Sequence, residues 1–149
     1  MREPSRRAAR LIVLDEDGAV LLFQYEDDRG HWWGTPGGGL EANESFSAAA
    51  RREAQEELAL QLDGELGAPL WESTVEFTSR GRLFHQLEQF FLVRRPRAAL
   101  ALGENLGAAH RQEGIVATRW WSPAELRAAT EAIFPEDLGA RLEALARPD

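Results

Sequence analysis

Residues 37 to 60 read GGGLEANESFSAAARREAQEELAL and join three glycines to a segment rich in Ala, Arg and Glu. Neither Gly nor Pro occurs between residues 45 and 57, so no residue there interrupts a helix. We therefore predict one strong helix from Ser45 to Leu58, entered from a glycine loop. A glycine run by itself indicates little more than a tight turn, although it lets the backbone approach a ligand closely.

Three carboxylates of this helix share one face. Glu53, Glu56 and Glu57 are spaced i, i+3 and i+4, which makes them neighbours on the helix surface. Like charges at this spacing repel each other by about 0.2–0.5 kcal/mol per pair. A helix tolerates such a group best when a cation binds to it.

The apolar stripe of the helix indicates which way these carboxylates face. At about 100° per residue, the stripe consists of Phe46, Ala50, Ala54 and Leu58. Glu57 falls between Phe46 and Ala50, and Glu53 lies about 20° from Phe46. The solvated face holds Ala48, Arg51, Arg52 and Gln55. Because burying an unpaired charge is costly, the pattern favours a cation site over an ordinary solvated row of glutamates.

Oxygen ligands favour Mg²⁺ or Mn²⁺ over Zn²⁺, which prefers His or Cys. The chain has no Cys, and its three His are scattered without a metal-binding spacing. Mg²⁺ binds through a few carboxylates together with substrate phosphates, and a backbone carbonyl of the glycine loop could complete the ligands. The helix therefore indicates a site for a phosphorylated small molecule.

Length and charge restrict the number of domains and the classes of ligand that the chain can bind. The 149 residues suit a single domain over residues 1–149. The net charge is −8, from 25 acidic residues against 17 basic ones, so binding to a nucleic-acid polymer is disfavoured. The longest apolar runs are too short to cross a membrane or to form a secretory signal, which predicts a cytoplasmic protein. The basic segment of residues 1–10 is interpreted as a frayed or strand-flanking arm. The sequence also allows a homodimer.

Strands are predicted on both sides of the helix. Residues 11–14 and 19–23 form a hairpin, and residues 71–77 with 83–93 form a second one. Residues 115–121 form a further strand, after which Ser122 and Pro123 begin a helix through Ala128. A terminal helix is expected over residues 134–146, and residues 94–114 are interpreted as one long loop.

The segment resembles the Nudix box of nucleoside-diphosphate-linked pyrophosphohydrolases. Gly38 is followed after five residues by Glu44, and after seven more by residues 52–60, which keeps the family spacing without a gap. Two residues depart from the pattern. Ala54 replaces a larger aliphatic residue, and Ala59 replaces the Gly that usually ends the helix, so we expect a different or slightly later helix end.

The resemblance extends outside the box and implies a fold. Residues 33–36, Trp-Gly-Thr-Pro, are similar to the family's lead-in, and Glu113 with residues 120–126 is similar to its closing strand and helix. The implied fold is α/β, an α/β/α sandwich around a mixed β-sheet. The implied activity is Mg²⁺- or Mn²⁺-dependent hydrolysis of a pyrophosphate bond by water.

The resemblance also implies site roles. The metal ligands are Gly38, Glu53, Glu56, Glu57 and Glu113. Glu56 and Glu57 are the principal ligands, and Glu53 is the base or a further ligand, although three adjacent carboxylates could exchange these roles. Arg52 holds Glu53 in place and pairs with Glu44, for which we favour a structural role. Glu113 is a second-site ligand or an alternative base.

The substrate is expected to be a small nucleotide. A base could stack on Tyr25, Trp33 or Phe77, and a phosphate could be reached by Arg29, Arg80 or Arg82. A nucleoside di- or triphosphate, as in MutT-like enzymes, ranks ahead of nucleotide sugars and dinucleoside polyphosphates. A non-catalytic nucleotide sensor of the same fold is the alternative from another class.

Overall fold

The computed structural model describes residues 6–28, 30–63, 66–79, 81–100 and 114–146. These residues form two compact units. The first unit comprises the described residues within Met1–Ile12 and Pro36–Val93, and the second those within Val13–Thr35 and Arg94–Asp149. The single domain expected over residues 1–149 stays a prediction.

The first unit holds the predicted helix. Its elements are β1 (Arg6–Leu14, as far as Ile12), β4 (Gly37–Gly39), α1 (Phe46–Leu58), β5 (Trp71–Ser79) and nearly all of β6 (Arg82–Arg94). Strands β5 and β6 form an antiparallel hairpin, and β6 lies beside β1. Strand β4 pairs antiparallel with β1, and α1 contacts β4. The predicted second hairpin is confirmed.

Local sequence explains both ends of α1. Ser45 is the N-cap, and its hydroxyl accepts a hydrogen bond from the N–H of Ala48 over 3.0 Å. At the other end Ala59 adopts a left-handed conformation with φ 52°, and its N–H donates to the carbonyl of Gln55. The helix therefore ends at Leu58, where Gly would have ended it. Our expectation of a different or later helix end was wrong, because Ala accepts the left-handed conformation here.

The glycine run is a strand, and its prediction as a loop was wrong. Gly38 pairs with Ala9 and Gly37 with Arg10 in the β1–β4 register. Gly37 has φ 137°, and a Cβ there would lie 2.1 Å from the carbonyl oxygen of Ala9. Only glycine fits so close to β1, which explains why a segment without β-forming side chains makes a strand.

The basic N-terminal arm was also predicted incorrectly where the structure describes it. Residues Arg6 to Arg10 belong to β1, and Ala8 and Ala9 within them are 1% and 0% exposed. Two buried alanines between arginines give little apolar signal in the sequence, although they pack closely against a neighbouring strand. The first hairpin is confirmed, with a longer first strand than predicted.

The described residues of the second unit contain the end of β1, four further strands, a short 3-10 helix (Arg97–Ala99) and two α-helices. These are β2 (Val20–Asp27), β3 (Gly30–Gly34), β7 (Ile115–Trp121), α2 (Pro123–Ala128), β8 (Ile133–Phe134) and α3 (Leu138–Ala146). Strand β2 pairs antiparallel with the end of β1, with β3 and with β7, whereas β8 pairs parallel with β3. Parallel and antiparallel pairs together make a mixed sheet, as predicted.

Strand β7 and helix α2 occur where we predicted them. Ser122 and Glu125 form a capping box, with Pro123 in the first turn. The terminal helix begins at Leu138 instead of residue 134, so that boundary was wrong. Residues Ile133–Phe134 pair with β3 instead, and their backbone is therefore extended. Strand β3 was not predicted.

Candidate active site

Helix α1 places two of its three clustered glutamates in the protein interior. Glu53 and Glu57 are each 5% exposed, whereas the Glu56 side chain is 52% exposed. The helical-wheel prediction that Glu53 and Glu57 face the core is confirmed. The last turn contains no basic residue.

Arg52 is the centre of a hydrogen-bond network. Its guanidinium binds the Glu44 carboxylate through two bonds, Nε to Oε2 and Nη2 to Oε1, both 2.9 Å long. Nη1 donates to Oε1 of Glu53 over 3.0 Å, and Nη2 also donates to the carbonyl of Gly39 over 2.9 Å. Arg52 was placed on the solvated face, but its side chain is only 22% exposed. The network fixes one oxygen of Glu53.

The charges of this network favour the ionised forms of Arg52 and Glu44. Hydrogen bonds from Arg52 hold the pKa of Glu44 below its ordinary value. Glu44, together with Glu53, raises the pKa of Arg52 despite its partial burial. Glu41 and Glu56 add longer contacts to Arg52, of 3.3 and 3.4 Å. The predicted Glu44–Arg52 pair is therefore present.

Strand β4 lies directly against the two buried carboxylates. The N–H of Gly37 donates to Oε2 of Glu57 over 3.2 Å. A Cβ on Gly38 would lie 2.5 Å from Oε1 of Glu53. The backbone at Gly38 therefore approaches Glu53 more closely than any residue with a side chain could.

Arg10, which sequence reasoning missed, lies next to this strand. Its Nε donates to Oε2 of Glu88 over 2.8 Å, and its Nη1 contacts the carbonyl of Gly37 at 3.4 Å. The buried Gln86 donates to the same Glu88 oxygen over 2.9 Å. Arg10 and Glu88 are 78 residues apart, so their opposite charges were the only indication in the sequence that they pair.

The buried oxygens of α1 fit a divalent cation. Burial raises the pKa of Glu53, while contacts with Glu57 and Arg52 act in the opposite direction. Among the described residues, no N–H group donates to Oε2 of Glu53, which is fully buried. A buried carboxylate oxygen without a donor is costly unless a cation or water occupies the space beside it. The donor set is oxygen alone, which suits Mg²⁺ or Mn²⁺.

A second acidic group lies in the turn after β1, in the second unit. Within the described ranges, only Asp15, Glu16 and Asp17 bring three carboxylates within 4.8 Å of one another, so the three α1 glutamates are not gathered as tightly. Asp15 Oδ1 accepts hydrogen bonds from the N–H groups of Asp17 and Ala19, and Oδ2 accepts one from Arg97. The side chain of Asp15 therefore shapes this turn.

The residues proposed for substrate binding lie in different units. In the second unit, Trp33 is 6% exposed and its Nε1 donates to Glu131 over 2.6 Å. Tyr25 donates its hydroxyl to the carbonyl of Thr35 and stacks on Trp32. Both side chains thus make contacts within that unit.

Phe77 and Arg82 lie together in the first unit, on the β5–β6 hairpin. Phe77 stacks on its cross-strand partner Phe84, with ring centroids 5.3 Å apart. The guanidinium of Arg82 lies over Phe84, and that of Arg6 lies over Phe77. Arg29, Arg80 and Glu113, to which sequence reasoning gave phosphate or metal contacts, lie outside the described residues.

No helix in the described ranges is both long and apolar enough to cross a membrane. The cytoplasmic location and the homodimer stay predictions.

Comparison with known proteins gives one family. The family model described as NUDIX domain matches residues 4–142. RNA pyrophosphohydrolase of Pelagibacter ubique is 26% identical over 98 residues, or 61% of this chain and 62% of that protein. Nucleoside triphosphatase NudI of Escherichia coli is 45% identical over 53 residues, or 34% of this chain and 38% of that protein. The chain therefore spans less than two thirds of the length of both relatives.

Solved structures agree on the fold. The MutT protein of Methanosarcina mazei superposes with a TM-score of 0.70 at 16% identity, covering 99% of both chains. A MutT Nudix hydrolase from Burkholderia pseudomallei has a TM-score of 0.65 at 18% identity, covering 95% of this chain and 98% of that one. The predicted α/β Nudix fold with a mixed sheet is confirmed.

Proposed function

The chain belongs to the Nudix family, and we propose that it is a Mg²⁺- or Mn²⁺-dependent hydrolase that cleaves the pyrophosphate bond of a nucleoside di- or triphosphate. The observation that carries this proposal is the buried pair Glu53 and Glu57 against the Gly37–Gly39 strand. The family typically depends on a divalent metal, and the oxygen donors here suit one.

The carboxylates of α1 have separate proposed roles. Glu57 and Glu56, with the carbonyl of Gly38, hold the cation. Glu53 is the base that takes a proton from the attacking water, or a further ligand. When bound, the cation would neutralise phosphate oxygens and help to orient that water. These roles are supported by the burial of Glu53 and Glu57 and by the exposure of Glu56.

Arg52 and Glu44 are proposed to position the carboxylate of Glu53. Arg52 donates to Glu53, so it fixes the direction in which the other oxygen of that carboxylate points. Glu44 holds Arg52 by two hydrogen bonds and is proposed as a structural residue. Glu113 keeps its proposed role as second-site ligand or alternative base.

The substrate class is proposed from relatives as well as from the site. The curated relatives are named for a nucleoside triphosphate and for RNA, and both names imply a nucleotide carrying a polyphosphate. The net charge of −8 favours the small nucleotide over the polymer. Tyr25 and Trp33 remain the proposed contacts to the base, and Arg82 remains a proposed contact to phosphate.

A substrate panel tests the function. Nucleoside di- and triphosphates, a nucleotide sugar, a dinucleoside polyphosphate and 5′-triphosphorylated RNA are incubated with Mg²⁺, with Mn²⁺ or with EDTA. Released phosphate and pyrophosphate are measured, and the nucleotide products are separated by chromatography. We expect release from a di- or triphosphate only with a divalent cation. Tight nucleotide binding without hydrolysis of any compound would instead favour the sensor.

A further inference from the structure

A cavity of about 380 Å³ lies beside the carboxylate site in the first unit. Arg6 and Arg7 of β1 line it together with residues 39–44. The carbonyl of Gly39, in the same wall, accepts a hydrogen bond from Arg52. The cavity is therefore one residue away from Gly38, whose backbone lies against Glu53.

Two neighbours position the Arg6 guanidinium at this cavity. A Cβ on Gly39 would lie 2.9 Å from Nη2 of Arg6, so the absence of a side chain at Gly39 leaves room for the guanidinium. On β5, the ring centroid of Phe77 lies 5.8 Å from Cζ of Arg6, within the range of a cation–π contact. Phe84 packs on Phe77, so the ring that contacts Arg6 is itself supported.

Two arginines of the cavity wall can bind an anion. Glu41 and Glu44, the acidic residues of its wall, contact Arg52 at 3.3 and 2.9 Å. Arg6 and Arg7 form no ion pair with any carboxylate of the described residues. Glu41 and Glu44 thus share the charge of Arg52 with Glu53 and Glu56, whereas Arg6 and Arg7 have no carboxylate partner among the described residues.

We propose that Arg6 binds a phosphate group of the nucleotide substrate in this cavity, and that Phe77 holds its guanidinium in place. A guanidinium presents several N–H donors to phosphate oxygens, and an aromatic face beneath it limits its motion. This role of Phe77 differs from stacking on the nucleobase, because Arg6 already lies over the ring. The identity of the anion rests on the proposed function, whereas the ability of the cavity to bind phosphate does not.

Two measurements on the full chain test the role of Arg6. The first is the dissociation constant of ADP, measured by calorimetry in the presence of EDTA. Adenosine serves as the matched ligand that carries no phosphate. The second is KM and kcat for the compound hydrolysed in the panel. For Arg6→Ala we expect the dissociation constant of ADP and the KM each to rise by about tenfold, because one charge-assisted contact to phosphate is lost. We expect kcat within twofold and adenosine binding unchanged.

Control variants distinguish phosphate binding by Arg6 from effects of net charge and of protein stability. Arg94→Ala removes the same charge at an exposed position on β6, outside the cavity, and should bind ADP like the unchanged chain. Arg6→Lys keeps the charge without the planar fork and should fall between Arg6→Ala and the unchanged chain. Unfolding temperatures of all variants should match within error.

Phe77→Leu tests the supporting ring. We expect weaker ADP binding, unchanged adenosine binding and no further loss when Phe77→Leu is added to Arg6→Ala. Weaker adenosine binding in Phe77→Leu would assign the ring to the base and overturn its role as a support.

The inference and the proposed function can fail separately. Hydrolysis by the unchanged chain with neither ADP binding nor KM altered in Arg6→Ala overturns the inference and leaves the function intact. No hydrolysis in the panel, with ADP binding that depends on Arg6, overturns the function and leaves the inference intact. A chain that neither hydrolyses the panel nor binds ADP overturns both.

Discussion

The backbone N–H of Gly37 donates a hydrogen bond to Oε2 of Glu57, over 3.2 Å. Strand β4 and the last turn of α1 are therefore joined at the carboxylate that we propose as a principal metal ligand. A glutamine at this position would keep an oxygen acceptor for that N–H while losing the negative charge. The role of Glu57 in fold can thus be separated from its role in catalysis.

Glu57→Gln should abolish metal-dependent hydrolysis and leave the fold intact. Loss of the charge removes a cation ligand, and we expect activity to fall by more than about a hundredfold. Activity is measured on the best substrate of the panel, and the fold by circular dichroism and thermal unfolding. Glu72→Gln, at an exposed position of β5, is the matched control. Full activity in Glu57→Gln would refute the assignment.

Gly38→Ala should remove activity through a single methyl group. The Cβ would lie 2.5 Å from Oε1 of Glu53, so this carboxylate must move and its hydrogen bond from Arg52 is weakened. We expect activity to fall at least about tenfold and the free energy of unfolding to fall by about 1–3 kcal/mol. Gly67→Ala is the control, since a Cβ there meets nothing within 4 Å. Equal activity of the two variants contradicts the close approach at Gly38.

Glu44→Gln should destabilise the protein in a pH-dependent way. Hydrogen bonds from Arg52 hold the pKa of Glu44 below its ordinary value of 4.5. A lowered folded-state pKa gives stability that is present above the unfolded pKa and is lost as pH falls through the folded one. Near neutral pH the variant should be less stable by about 1–2 kcal/mol, with a smaller difference in acid. Urea unfolding between neutral and acidic pH measures this difference in stability. A stability difference that does not change with pH would rule out the Glu44–Arg52 ion pair as its source.

Ala59→Gly should stabilise the protein. Ala59 has φ 52°, a left-handed conformation that costs a residue with a Cβ about 1–2 kcal/mol, whereas glycine adopts it freely. We expect a gain of about 1 kcal/mol in the free energy of unfolding, measured by chemical denaturation. Ala48→Gly, inside α1, should lose about 1 kcal/mol because glycine is a poor helix residue. A loss in both variants would contradict the left-handed helix end.

Helix α1 and the burial of its glutamates were predictable because both depend on local periodicity. An uninterrupted helix repeats about every 3.6 residues, so the apolar stripe fixes which carboxylates turn inward. Strand β4 was not predictable in this way. Its three glycines carry no strand signal, and only pairing with β1 gives them their extended backbone.

Contacts between distant parts of the chain explain the other differences. Arg10 meets Glu88 across 78 residues, and nothing in either local sequence indicates the other. Arg6 was assigned to a flanking arm because it lies in a basic N-terminal segment, and its position at a cavity depends on Gly39 and on the β5–β6 hairpin. The helix that carries the proposed metal ligands was predictable from local sequence, whereas its surroundings depend on tertiary pairing.

The last turn of α1 carries Glu56 and Glu57 and no basic residue. The aligned peptide dipoles of a helix place about half a negative charge at its C-terminus, so acidic side chains there oppose the helix that carries them. A divalent cation bound to these glutamates would reverse that opposition and act as a cap for the helix dipole. On the proposed function, ion binding and folding of this segment would be thermodynamically linked, and we expect added Mg²⁺ to raise the stability of the protein.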